Sequence, residues 1–136
     1  MAALTTDRNT PEIDGVMRDI PVATGVKIFA GALVCFSATG FATPGATATT
    51  LVSAGRAEEQ VDNTAGADGA VTVRTKRGVF RFANSAAADA ITAAEIGDAC
   101  YLVDDQTVAK TDATATRSVA GKIINIDAQG VWVELG

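Results

Sequence analysis

Apolar and polar residues alternate along several stretches of the chain, which is the pattern of strands with one buried face. The clearest case is residues 70–83, where two alternating runs flank the polar connection 75–78. We predict a β-hairpin there. A second hairpin is predicted over residues 123–135, around turn residues 127–130.

Further strands are predicted within residues 16–36, 51–57 and 99–103. Pro21 marks the first of these as an edge strand or a strand end, because proline cannot donate to a strand ladder. Residues 84–97 are the helical candidate, with Asn84 or Ser85 as the cap and Gly97 as the end. Small and turn-forming residues predict loops elsewhere, at 37–50, 58–69, 104–107 and 111–116.

These elements predict an all-β fold, a small β-sandwich or barrel-like body with one short helix. The body covers residues 16–136 and follows an extended, flexible N-terminal arm, residues 1–15. The arm is polar and unpatterned, and Leu4 and Ile13 are its sizeable apolar residues. Such a segment cannot bury enough surface to become ordered alone. No internal repeat of fixed period is visible.

The amino-acid composition excludes several classes of function. The chain has 136 residues, a net charge of −5 and no histidine. The acidic charge disfavours binding to nucleic-acid phosphate. The lack of histidine removes histidine-based catalysis and ordinary zinc sites, so we expect a non-enzyme without cofactor or metal. The most apolar run, residues 26–36, is shorter than the roughly 20 residues that span a bilayer. With no visible export signal, we expect synthesis in the cytoplasm and no membrane contact.

Acidic residues raise the question of a cation site. Asp104 and Asp105 are adjacent, so on a strand they would point to opposite faces. We therefore interpret them as a turn, with Asp105 bonding to backbone N–H groups. Asp62, Asn63 and Asp68 do not have EF-hand spacing and are likewise interpreted as turn residues.

The basic, aromatic and cysteine residues offer few further candidates for a binding or catalytic site. Arg74, Lys76, Arg77 and Arg81 form a basic cluster that is either a contact for an acidic partner or a solvated hairpin tip. Trp132 is interpreted as a core residue, with a contact surface as the alternative. Cys35 and Cys100 lie in apolar runs and are expected to be reduced and buried.

The order of these pieces resembles the capsid decoration, or cement, proteins of tailed bacteriophages, including the lambdoid head-stabilising protein. Three passages carry the likeness. They are the polar arm leading into residues 25–34, the acidic loop and hairpin from 61–63 through 78–82 to 90–91, and residues 101–108 with the closing segments 120–123 and 130–133. The chain is longer than the lambdoid pattern and has an extra segment before the hairpin.

The resemblance implies a β-rich structural protein on the outside of a virion, where it stabilises the head by bridging copies of the major capsid protein. It also implies a homo-trimer whose arm becomes ordered on the shell. The arm residues expected to bind the capsid are Leu4, Thr6, Asp7, Arg8, Asn9 and Ile13. A possible second contact is Arg74, Lys76 and Arg77. The alternatives are a tail or fibre accessory module, or a carbohydrate-binding β-module.

Overall fold

The protein is all-β, as predicted. The computed structural model describes residues 2–136 and contains short strands joined by turns. The strands are β1 (Met17–Pro21), β2 (Lys27–Ile28), β3 (Leu33–Phe36), β4 (Ala42–Pro44), β5 (Val52–Ala57), β6 (Val61–Asp62), β7 (Thr72–Lys76), β8 (Gly78–Asn84), β9 (Ala99–Leu102), β10 (Thr107–Ala109), β11 (Val119–Asp127) and β12 (Gly130–Leu135).

The second half of the chain, residues 77–136, is called the C-terminal unit. Its strands form a closed barrel in the order β10-β8-β12-β11-β9. All neighbours are antiparallel except β10 and β8, which pair in parallel through Val108 and Asn84. Closure removes the exposed sheet edges that would otherwise invite pairing with other chains.

The first half, residues 16–76, is called the N-terminal unit. Its five-stranded sheet has the order β1-β7-β5-β3-β4, and the short strands β2 and β6 pair separately. The sheet curls until its two edges meet at a parallel bridge between Val22 and Ala42. The N-terminal unit is therefore also barrel-like.

The two units have the same topology. If β1, β3, β4, β5 and β7 are matched with β8, β9, β10, β11 and β12, both sheets have the same strand order. In both, the first of the five matched strands meets the third in parallel, at Val22–Ala42 and at Asn84–Val108. The chain is thus a tandem structural repeat, which the sequence search for a fixed period missed.

The repeat extends to individual backbone contacts. Both units place a β-bulge at the same point, where Val34 faces Gly55 and where Cys100 faces Gly121. Two further backbone hydrogen bonds recur with nearly the same length. They are Ala57 N to Ala32 O (2.9 Å) with Ile123 N to Asp98 O (2.9 Å), and Ser37 N to Phe41 O (2.8 Å) with Val103 N to Thr107 O (3.1 Å).

Each unit has its own apolar core, and one strand contributes to both. Val34 packs among N-terminal residues such as Ile20 and Val73. Its neighbours Leu33 and Cys35 point the other way, because successive side chains on a strand alternate. Both belong to the core cluster of the C-terminal unit. Strand β3 therefore joins the two barrels into one packed body.

The predicted hairpin over residues 70–83 is wrong. Strands β7 and β8 are separated by Arg77 alone, and they belong to different sheets. Strand β7 pairs with β1 and β5, whereas β8 pairs with β12 and β10. The alternation correctly indicated two strands, but alternation specifies which face is buried and not which strand is the neighbour.

Other predictions had mixed outcomes. The terminal hairpin is confirmed by β11 and β12, and Pro21 ends β1 at the edge of its sheet. The helical candidate consists of two 3₁₀ turns, Ala87–Asp89 and Ala93–Glu95, and Thr92 caps the second instead of the predicted residues. The loop predicted over 37–50 contains strand β4.

Candidate interaction surfaces

The six arm residues of the predicted capsid contact are all exposed. Residues 2–15 belong to no strand or helix, and Leu4 and Ile13 keep 72% and 81% of their surface exposed. Exposed apolar side chains of this size are a feature of contact surfaces when they are grouped. Flexibility of the arm in the free protein stays a prediction.

The root of the arm is fixed by Arg77. Its guanidinium Nη1 donates to the carbonyl oxygen of Gly15 at 3.3 Å, and Nη2 donates to the carbonyl oxygen of Gly136. Asp14 accepts a hydrogen bond from the Val16 amide at 2.9 Å. Arg77 therefore links the start of the body to the chain end, which is a structural role beside the predicted contact role.

The basic cluster is divided by the fold. Arg74 and Lys76 point outward from β7, and Arg74 forms an ion pair with Asp19 at 3.3 Å. Arg81 lies on β8, in the other unit. Because no hairpin exists here, the interpretation of the cluster as a hairpin tip is wrong. Arg74, Lys76 and Arg77 are exposed and close together in sequence.

Trp132 lies at the surface rather than in the core. Its side chain is partly exposed, and its indole Nε1 donates to Asp127 Oδ2 at 2.8 Å. The Arg81 guanidinium lies 5.5 Å from the ring centroid, a cation–π distance. The hydrogen bond from Trp132, the amide of Gln129 and the charge of Arg81 lower the pKa of Asp127. This arrangement holds the indole at a fixed orientation.

Asp62 and Asp68 take part in turns, as interpreted, but the side chains of Asp68 and Asn63 also bond to the distant residues 22–24. Asp62 accepts hydrogen bonds from the amide and hydroxyl of Thr64, which lower its pKa. Asp68 accepts from the Thr24 amide at 2.8 Å, and the Asn63 amide group donates to three backbone carbonyls. Among residues 2–136 no group of three or more His, Cys, Asp or Glu residues is placed to hold a metal ion.

The pair Asp104 and Asp105 also forms a turn, but the roles differ from the prediction. Asp104, not Asp105, accepts a backbone hydrogen bond, from Gln106 N at 2.9 Å. The backbone carbonyl of Asp105 accepts from the Leu33 amide of the N-terminal unit at 2.8 Å. This turn is therefore part of the contact between the two units.

Both cysteines are free and buried, as predicted. Burial raises the pKa of each thiol to about 12. The thiolate is the nucleophilic form of cysteine, so these side chains act as small apolar residues in the folded protein.

Sequence reasoning missed a polar cluster around Asp89. Its carboxylate accepts a hydrogen bond from the Thr111 hydroxyl at 2.5 Å and pairs with Arg117 at 3.3 Å. The hydrogen bond from Thr111 and the contact with Arg117 lower its pKa. These bonds fasten the loop that contains Ala113, Thr114 and Ala115, three residues with positive φ. The residues lie too far apart in sequence to have been paired.

A groove of about 700 Å³ lies where the two units meet. The N-terminal unit contributes Leu51 and Val52, and the C-terminal unit contributes Tyr101, Val119 and Lys122. Val52 and Val119 are 62% and 49% exposed. The groove combines apolar and charged side chains, and it could not be anticipated from the sequence because its residues come from separate strands.

No helix in residues 2–136 is both long and apolar enough to cross a membrane. Comparison of the chain with family models, with curated proteins and with solved structures finds no match. Function must therefore be argued from the surfaces themselves.

Proposed function

We propose that this chain is a structural protein of a viral particle, which decorates the outer surface of a tailed-phage capsid and stabilises the head by bridging subunits of the major capsid protein. The observation that carries the proposal is the exposure of residues 2–15, which lie outside every strand and helix. Leu4 and Ile13 expose most of their surface on a segment that pairs with no strand of residues 2–136. The resemblance described above supports the same role.

An arm of this kind suits attachment by strand addition. An extended segment can pair with an exposed sheet edge, where its main-chain groups provide affinity and side chains at alternate positions provide specificity. Ordering the arm costs about 1–2 kcal/mol per residue in backbone entropy. The main-chain bonds and the burial of Leu4 and Ile13 on the shell would offset that cost.

The two-barrel body suits a bridging role. Its strands are tied together by long-range pairing, and β3 inserts side chains into the core of the second barrel. A rigid body attached at many equivalent sites raises the stability of a shell by mass action, although each copy adds little. A trimer over local three-fold positions and a location on the virion exterior belong to the same proposal.

The test is cosedimentation with expanded, undecorated heads from the same source as the chain. Deletion of residues 2–14 should leave a folded, soluble body that no longer pellets with the heads. A second variant, Leu4→Ser with Ile13→Ser, should weaken binding while the arm keeps its length. Thr5→Ser with Thr10→Ser, at exposed arm positions outside the predicted contact, is the matched control and should bind as the unaltered chain does.

The exposed basic residues of the body are the alternative site of attachment to the capsid. If the deletion variant binds as tightly as the full chain, attachment through the arm is wrong. Charge reversal at Arg74 and Lys76 then decides whether the body binds through that surface. Failure of the full chain to bind heads under any of these conditions would refute the decoration role itself.

A further inference from the structure

The repeated topology makes it possible to compare one covered surface with its open counterpart. In the N-terminal unit, the outer face of β3 is covered by the C-terminal unit, and Leu33 and Cys35 are fully buried. Two of the hydrogen bonds that cross this internal interface involve the turn of residues 103–107. The Leu33 amide donates to the Asp105 carbonyl at 2.8 Å, and the Thr47 hydroxyl donates to the Val103 carbonyl at 2.8 Å.

The equivalent face of the C-terminal unit is open. The matching registers of β3 with β5 and of β9 with β11 make Ala99 and Tyr101 the counterparts of Leu33 and Cys35. Ala99 is exposed and Tyr101 is partly exposed. Val119, the cross-strand partner of Tyr101, is 49% exposed. This surface, the β9 face, exposes apolar side chains beside the cation of Lys122, and it is uncovered within one copy of residues 2–136.

The other half of the internal interface also has an open counterpart. The turn of residues 103–107 covers Leu33, and its equivalent in the N-terminal unit is the turn of residues 37–41. Both turns close with the same backbone hydrogen bond, Val103 N to Thr107 O and Ser37 N to Phe41 O. In the latter turn Ala38 and Thr39 are exposed. One copy therefore exposes both surfaces, the β9 face and the turn of residues 37–41.

We propose that the β9 face of one copy binds the 37–41 turn of a second copy, in the geometry that joins the two units within the chain. The bond equivalent to Leu33 N–H with the Asp105 carbonyl is then Ala99 N–H with the Thr39 carbonyl of the second copy. Because the two surfaces differ, the contact is head-to-tail, and its repetition gives a ring or an open chain. The proposal stands whether or not the chain binds a capsid.

Not every internal contact is reproduced between copies. Within the chain, the Arg56 guanidinium lies 4.2 Å from the centroid of the Phe80 ring. Strand register makes Lys122 the counterpart of Arg56 and Arg18 the counterpart of Phe80. Two cations would then face each other, so we expect association between copies to be weak and concentration-dependent. Lys122→Gln should strengthen it.

Disulfide trapping tests the proposed pairing directly. Chains carrying Ala99→Cys are mixed with chains carrying Thr39→Cys under mild oxidation, and the cross-linked heterodimer is followed by non-reducing electrophoresis. Docking holds the two thiols at a high effective concentration, so this pair should react at least about tenfold faster than an undocked pair. The native thiols of Cys35 and Cys100 are buried and do not compete.

Two controls make the outcome decisive. Ala99→Cys mixed with Thr64→Cys, an exposed position of the N-terminal unit outside the turn, gives the rate for random collision. Adding Val119→Arg to the Ala99→Cys chain should reduce the fast rate to that level, whereas Val79→Arg, at an exposed valine on β8, should not. Equal rates for the Thr39 and Thr64 partners would overturn the proposal, and so would a fast rate that Val119→Arg leaves unchanged. Neither result depends on capsid binding.

Discussion

Leu33 provides the strongest test of how the two units are joined. It lies on β3 of the N-terminal unit, yet its side chain is fully buried in the core of the C-terminal unit. Leu33→Ala removes that side chain and keeps the backbone hydrogen bond to Asp105. If the two units unfold together, this one substitution should destabilise both.

The expected magnitude follows from burial. A fully buried leucine that is cut back to alanine loses its transfer free energy and leaves a cavity, together about 2–5 kcal/mol. For a domain of this length, unfolding entropy converts each kcal/mol to about 3 °C in Tm, so the expected loss is about 6–15 °C. Val34→Ala, the next residue along β3, provides the comparison because its side chain lies in the N-terminal core.

The assay uses two probes at one fixed protein concentration. The single tryptophan, Trp132, reports the C-terminal unit by fluorescence, and far-ultraviolet circular dichroism reports both units. For the unaltered chain and both variants, the two probes should give coincident transitions. If Leu33→Ala shifts the circular dichroism transition and leaves the Trp132 transition in place, Leu33 does not couple the units and the reasoning is refuted.

Three further predictions concern single sites. The pKa of Asp127 is lower in the folded than in the unfolded state, so its charge stabilises the fold above the unfolded pKa of about 3.9, and this stability is lost as the pH falls through the folded pKa. Asp127→Asn should therefore show a smaller drop in urea midpoint between about pH 5 and pH 2 than the unaltered chain. Cys35 and Cys100 should react with iodoacetamide only after unfolding, and a disulfide found by non-reducing mass spectrometry would contradict this. Gly121→Ala places a Cβ 2.1 Å from a carbonyl oxygen of β12 and should cost about 1–3 kcal/mol in denaturant titration, whereas Gly15→Ala, in open space, should cost almost nothing.

Local signals in the sequence were enough to identify most strands. Alternation of apolar and polar residues requires only that one face of each strand be buried, so it does not depend on distant residues. The terminal hairpin was also predictable. Its turn is built locally, because Asp127 accepts hydrogen bonds from the amides of Gln129 and Gly130 and so directs β11 straight back onto β12.

Features that depend on which strands meet could not be predicted in the same way. The run from β7 to β8 has the alternation of a hairpin, but Arg77 alone separates the strands and each finds its partners in a different sheet. The surface position of Trp132 could not be predicted either. Trp132 lies beside Arg81 only because closure of the barrel makes β8 and β12 neighbours.

The tandem repeat shows the same division between sequence and structure. Short similarities are present, but one of them is out of register with the fold: Gly15-Val16-Met17-Arg18 resembles Gly78-Val79-Phe80-Arg81, whereas strand pairing matches Arg18 with Phe80. The Ala-Thr-Ala-Thr segments at 46–49 and 113–116 are also similar. The loops between them differ in length: the connection from β5 to β7 contains β6, whereas β11 and β12 are joined by a tight turn. No fixed period survives such insertions. The sequence by itself determined strand-forming segments, an all-β class and an exposed polar arm. Only the tertiary structure decided that the strands form two equivalent barrels, because strand pairing depends on contacts between residues far apart along the chain.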